Sequence, residues 1–170
     1  MIVIGLDPGT EQSALVTYDG TSILAHDTLV NKSVLECLGA IHDRWHTVIL
    51  AIEQIESMGM PVGKETFETV FWSGRFAQAW APRLWDRVTR RQVKQHLCFS
   101  IRATDANIRQ ALYDRFGPGK TKAVGTKKAP GPLYGLKGHE FAALAVAVTY
   151  YDSATSAEAS ANEVKDHAGF

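Results

Sequence analysis

Three well-separated segments of the 170-residue chain carry groups that bind hard metal ions. The apolar run Ile2-Val3-Ile4-Gly5-Leu6 delivers Asp7 to the edge of Pro8-Gly9-Thr10, a turn that cannot stay in a strand ladder. Val48-Ile49-Leu50-Ala51-Ile52 delivers Glu53 in the same way. Lys137-Gly138-His139-Glu140 opens an otherwise apolar helical stretch, so His139 and Glu140 fall in its first turn, where the helix dipole favours an anion. A carboxylate among apolar residues is costly unless a cation compensates it, and Mg2+ takes oxygen ligands. Singly, each residue has a plain structural use. Asp7 can bond its own turn, His139 can be exposed or satisfied in place, and Glu140 can serve as a helix-start acid. Their conjunction points further. If the strands that end in Asp7 and Glu53 are neighbours, both carboxylates share one crevice. Two metal ions about 3.5–4 Å apart would there activate a water and stabilise the leaving oxygen of a phosphodiester displacement.

The elements that must position these groups follow from periodicity. Ile2–Leu6, Ala14–Tyr18 and Ile23–His26, separated by Gly, Asp and Thr, read as three successive antiparallel strands, with a hairpin turn at Asp19-Gly20-Thr21. Ser33–His46 has the apolar spacing of an amphipathic helix, with Ser33 as its N-cap, and crosses over to the strand Val48–Glu53. Glu65–Trp80 reads as a second helix, Arg83–Val88 as a short fifth strand, and Asp105–Phe116 as a helix that Gly117-Pro118-Gly119 ends. Lys120–Gly135 is rich in Lys, Gly and Pro without periodicity, which predicts a mobile basic loop. Phe141–Tyr151 is an Ala-rich helix whose small residues let it lie close on a sheet. From Asp152 onward Ser, Ala and Glu predominate, as in a frayed tail. The expected organisation is one α/β domain over residues 1–152 and a flexible tail over 153–170.

Composition bounds the function. With 45% hydrophobic residues the chain can bury one good core and is too short for two ordinary domains. Cys37 and Cys98 share no metal-type spacing, and no apolar run has the length of a membrane span or the layout of a signal peptide. A reduced, cytoplasmic location and no membrane partner are expected. The formal net charge is zero, yet Arg83–Lys128 holds twelve Lys and Arg against three acids. The rest of the chain therefore carries the opposite excess. Any single cation there reads most simply as part of a solvated face, but phosphate contact needs such clustering. Arg90, Arg91, Lys94, Lys120, Lys122, Lys127 and Lys128 are the candidates for contact with nucleic-acid phosphates.

Taken in order, Ile4-Gly5-Leu6-Asp7-Pro8-Gly9-Thr10, Ala51-Ile52-Glu53-Gln54 and Arg91-Gln92-Val93-Lys94-Gln95 resemble segments of the RuvC-type Holliday junction resolvases. The stretches Gly59–Gly63 with Phe67-Glu68-Thr69, and Lys127–Gly135, look like the bacteriophage-encoded members. The resemblance covers nearly all of the chain up to Asp152. It implies an RNase H-like fold: a five-stranded mixed sheet, three antiparallel strands then two parallel, flanked by helices. It also implies a homodimer that nicks two symmetry-related strands of a four-way DNA junction during recombination or repair, with two Mg2+ ions per site and Mn2+ as a substitute. Asp7, Glu53 and His139 correspond to the family's metal ligands. A further family Asp falls at Ala142, and Glu140 is the expected substitute, ahead of Glu56 and Asp105. Lys94 corresponds to a lysine near the scissile phosphate, where a point charge stabilises developing negative charge. A second basic residue of the cellular enzymes is replaced by Ala106, with Lys127 and Lys128 as stand-ins. The aromatic wedge of those enzymes is replaced by Glu56, which leaves Met58 and Met60 as apolar wedges, although loop packing is the plainer use of both.

Three other readings compete. Asp7-Pro8-Gly9-Thr10 also resembles the first nucleotide loop of the actin and sugar-kinase superfamily, but that architecture needs two such domains and this chain has room for one. A ribonuclease acting on RNA–DNA hybrids would use the same carboxylates. A junction-binding protein with impaired catalysis would account for Ala142.

Overall fold

The computed structural model describes residues 1–42, 48–56, 59 and 61–167. Three strands come first: β1 (Ile2–Asp7), β2 (Gln12–Tyr18) and β3 (Ile23–Val30). Helix α1 (Asn31–His42) leads to β4 (Val48–Gln54), α2 (Lys64–Trp80) and β5 (Trp85–Thr89). Four helices follow: α3 (Arg90–Cys98), α4 (Asp105–Phe116), α5 (Lys120–Val124) and α6 (Glu140–His167). The five strands form one mixed sheet in the order β3-β2-β1-β4-β5. β1 pairs antiparallel with β2 and parallel with β4, and β4 pairs parallel with β5. This is the predicted arrangement, but β3 runs four residues beyond its expected end at His26, and β5 spans Trp85–Thr89 where Arg83–Val88 was expected.

Strand parity divides the core in two. Ile4, Leu6, Leu50 and Ile52 face α1 and α2, packing with Val34, Leu38, Phe76 and Trp80. Val3 and Ala51, one residue out of phase, face α6 and pack among Ala143, Leu144, Ala147 and Val148. Positions 143–148 of α6 are all fully buried, because helices α3 and α4 cover the side that the sheet does not. Gly5 makes this possible: a Cβ there would run into the Ala143 carbonyl and Ala147. The expected close approach of the Ala-rich helix is therefore met from both sides.

Four local expectations are revised. Helix α1 begins at Asn31, and Ser33 lies inside it rather than capping it. Asn31 is 2% exposed and its side chain ties the turn after Asp7. Its Nδ2 donates to the carbonyls of Gly9 (3.0 Å) and Thr10 (3.2 Å), and its Oδ1 accepts from Ser13 Oγ (2.7 Å). The end of the predicted helix, residues 43–46, lies outside the described residues. Lys120–Gly135 is ordered structure, not a mobile loop. It contains α5, a bridge between Gly125 and Pro130, and Leu133, which is fully buried and whose N–H donates to Ala123 O at 2.8 Å. Gly131 packs so closely on the Lys122 and Ala123 carbonyls that no side chain fits there. Helix α3 was not foreseen, although Thr89 and Gln92 form the capping box that signals it. Finally, α6 continues to His167 where a tail was expected from Asp152. Ala and Glu are good helix formers, which outweighs the Ser and Thr hydroxyls that bond back to carbonyls three or four residues earlier at Ser153, Thr155 and Ser156.

Candidate active site

Period two along a strand fixes the first pair of groups. Leu6 is opposite Ile52 in the parallel β1–β4 ladder, so Asp7 and Glu53 leave the sheet at the same level. Both are in phase with the residues that face α6, and both stand at the carboxyl ends of their strands. The side chains are 14% and 13% exposed. His139, immediately before α6, reaches them from the helix side, with Nδ1 2.9 Å from Asp7 Oδ2. Arg90, the first residue of α3, enters from the end of β5. Its Nη1 is 3.4 Å from Glu53 Oε1, and its Nη2 is tightly hydrogen bonded to Asp105 Oδ1 at the start of α4. The result is an open crevice of about 440 Å³ lined by Asp7, Glu53, Arg90, Asp105, Arg109, His139 and Ala142, among others.

Two half-buried carboxylates side by side cannot both ionise cheaply. Burial raises the Asp7 carboxyl above its usual range, against the opposing hydrogen bond and charge of His139. Burial and then the neighbouring Asp7 charge push Glu53 up to about 7, against the Arg90 guanidinium. Asp105 is held below the ordinary carboxylate range by its hydrogen bond to Arg90, despite some burial. Bringing these two carboxylates together therefore favours a cation or a proton beside them. Oxygen donors from Asp7 and Glu53 with an imidazole from His139 suit a hard divalent cation in chemical type. Among the described residues, no three such groups stand close enough to hold an ion as they are, so loading would require these side chains to draw closer together.

The structure brings Asp7, Glu53 and His139 together and keeps Glu140 away. Glu140 is 6% exposed and turned towards β3. Its Oε2 lies 2.9 Å from His26 Nδ1 and accepts from the Lys137 N–H at 2.9 Å, while Oε1 accepts from Thr28 Oγ1 at 3.2 Å. Successive residues at a helix start point about 100° apart. With His139 aimed at Asp7, Glu140 is turned to another flank and bonded there, so it does not join them in the crevice as expected. Asp105, ranked behind it from sequence, is the further carboxylate in the crevice. Ala142 lines the same space and offers no ligand there.

Arg90 was expected on DNA, and its guanidinium is instead engaged by Glu53 and Asp105. Its position was readable in part, since the Thr89-x-x-Gln92 capping box places it at the first turn after the strand beside Glu53. Lys94, one turn further along α3, is half-buried, does not line the crevice, and helps to hold the Asp105 carboxyl down. Arg91, Lys120, Lys122, Lys127 and Lys128 are exposed. Met58 and Met60 lie outside the described residues.

No family model matches the sequence, and no curated protein matches it. Solved structures do. The structure of RuvC from Thermus thermophilus superposes with a TM-score of 0.69 at 18% identity, covering 92% of this chain and 97% of that one. RuvC of the same organism in complex with Holliday junction substrate gives a TM-score of 0.63 at 18% identity, covering 92% and 96%. The likeness is one of fold, and the five-stranded mixed sheet with its flanking helices is RNase H-like.

Proposed function

We propose that the chain is a structure-selective DNA endonuclease that resolves four-way or otherwise branched junctions by paired symmetrical nicking. The observation that supports this best is the convergence of Asp7, Glu53 and His139 from β1, β4 and the start of α6. The fold shared with RuvC, one structure of which holds a Holliday junction substrate, gives that convergence its direction. In this reading Asp7, Glu53 and His139 would hold Mg2+, with Mn2+ as a substitute, and two ions per site are proposed. When bound, such ions supply Lewis acidity to a water nucleophile and to the leaving oxygen.

The chain's own residues do the rest. Strand ends hold Asp7 and Glu53 rigidly at one level. The Asn31–Ser13–Gly9 bonds keep the turn after Asp7 from collapsing into the crevice. Lys94 stands near Asp105, outside the lining of the crevice, as a cation for the phosphate backbone, and Arg91, Lys120, Lys122, Lys127 and Lys128 extend that positive surface. A homodimer matches the two-fold symmetry of a four-way junction, and α2 offers it an apolar face with Phe67, Val70 and Phe71 exposed. The nuclease domain is assigned to residues 1–152, and the motifs resemble the bacteriophage-encoded branch of the family. No helix of the described residues is long and apolar enough to cross a membrane, and a cytoplasmic location suits a DNA substrate.

The deciding experiment is cleavage of a synthetic four-way junction beside matched duplex, splayed-arm and RNA–DNA hybrid substrates, with Mg2+ or a chelator. Paired nicks confined to the junction are expected. Cleavage of the hybrid alone would make the protein a ribonuclease. Tight junction binding with no cut in either Mg2+ or Mn2+ would favour the impaired binder that Ala142 suggests.

A further inference from the structure

A cation already sits in the candidate crevice. Arg90 is fixed at the first position of α3 by the capping box, in which Thr89 Oγ1 accepts from Gln92 N and Gln92 Oε1 accepts from Thr89 N. From there its guanidinium spans two carboxylates of different character. Glu53, on the inner side, is 13% exposed and 3.4 Å from Nη1. Asp105, at the rim, is 75% exposed and bonded to Nη2. Each nitrogen serves one acid, so the guanidinium can leave Glu53 without leaving Asp105.

A divalent ion loading beside Asp7 and Glu53 would compete with Arg90 for the same inner carboxylate. A guanidinium does not deprotonate in proteins, so it cannot make way by losing its charge. Two cations on one half-buried acid repel, and the side chain with the exposed alternative partner is the one that moves. We propose that Arg90 is the resident counter-ion of the crevice, displaced from Glu53 when a divalent ion loads, and that Asp105 is the positioning carboxylate that retains it at the rim. Held there, the planar fork faces the open side of the crevice, where it suits a phosphate oxygen pair. Asp105 acts through Arg90 and is not itself a ligand. Arg109, in the same lining, and Lys94, beside Asp105, add to the positive rim. The inference rests on the metal-dependent reading of Asp7 and Glu53.

The test is Mn2+ binding to the full chain without DNA, read from the electron paramagnetic resonance of unbound Mn2+, for wild type, Glu53→Gln, Arg90→Gln, Arg90→Lys, Asp105→Asn and the double variant Arg90→Gln with Asp105→Asn. Arg90→Gln is expected to bind about tenfold tighter, equivalent to about 1.4 kcal/mol. Arg90→Lys keeps the charge but loses the two-nitrogen fork, so it should bind more weakly than Arg90→Gln, and binding as tight as Arg90→Gln would show that the charge of Arg90 does not oppose the ion. Asp105→Asn should bind several-fold more weakly, and this effect should vanish in the double variant. Arg90→Gln binding no tighter than wild type would overturn the proposal. So would an undiminished Asp105→Asn effect in the double variant, because Asp105 would then be a ligand. Wild-type binding no tighter than Glu53→Gln would remove the metal reading itself, a result distinct from failure of Arg90→Gln alone.

Discussion

At the scale of the residue, the chemistry depends on how few charges the crevice tolerates. Glu53 is pushed up to about 7 by burial and by Asp7, and Arg90 offsets this only in part. Replacing it with glutamine keeps shape and removes the charge that a metal ion would use. Glu53→Gln is therefore expected to bind a four-way junction within about twofold of wild type. It should cleave at least ~10²-fold more slowly, the order of loss seen when one electrostatic contact to a transition state is removed. Gel-shift and single-turnover assays on the same substrate check this, and unchanged turnover would rule out the site. Glu140 teaches a complementary lesson. A carboxylate next to a candidate ligand in sequence can be wholly occupied elsewhere, here by His26, Thr28 and the Lys137 N–H.

At the scale of the element, the start of α6 is held by that Glu140 cluster and its middle by Asp152. Gly135, at φ +91°, a conformation that L side chains rarely adopt, brings the turn before α6 against the His26 ring. His26→Ala removes one of three partners from a carboxylate whose side chain is 8% exposed. About 1–3 kcal/mol of stability should be lost, measured by urea unfolding, since a buried acceptor is left under-satisfied. A loss below about 0.5 kcal/mol would show that Thr28 and the backbone suffice. Further along, Asp152 takes both Arg115 nitrogens (2.6 and 2.9 Å) and His96 Nε2 (2.7 Å), tying α4 and α3 to α6. Burial pushes the Asp152 carboxyl up, and the contacts with Arg115 and His96 more than reverse this, leaving it below its ordinary value of 3.8. A carboxyl depressed on folding contributes stability above its unfolded value and loses it as the pH falls through the folded one. Asp152→Asn should therefore cost about 1–2 kcal/mol at pH 7 in thermal unfolding. The difference from wild type should shrink as the pH is lowered below about 3.8. A constant difference from pH 7 to pH 3 would mean that packing, not charge, is what the substitution disturbs.

At the scale of the whole molecule, neutral net charge conceals a basic surface that includes the exposed Lys127 and Lys128. Alanine at both positions should weaken junction binding and reduce the slope of log K against log salt by about 2, close to one counterion per lysine lost from phosphate. An unaltered slope would place that segment off the DNA. The apolar face of α2, with Phe67 66% and Phe71 58% exposed, is where the proposed homodimer would form. Phe71→Glu is expected to shift a dimer to monomer in sedimentation velocity at micromolar concentration, with little change in thermal stability of the monomer. A wild type that is already monomeric at such concentrations would move the two-fold partner to another face, or to the DNA-bound state.

The sequence by itself determined the sheet and the inner pair of the site. Strand periodicity is local, so Asp7 and Glu53 could be placed on one face at one level once β1 and β4 were neighbours. Its place before an apolar helix made His139 a candidate no better than Glu140, and only the resemblance to the resolvases singled it out. Helix phase and long-range packing decided the rest. They sent Glu140 to β3, brought Arg90 and Asp105 to Glu53 from two separate helix starts, and ordered Lys120–Gly135 around the buried Leu133. A polar side chain at a helix terminus has several directions open to it, and its choice is a matter of which partner another part of the chain presents. That information is distributed over contacts more than one hundred residues apart, such as His26 with Glu140 and Asp7 with His139, and no local pattern carries it.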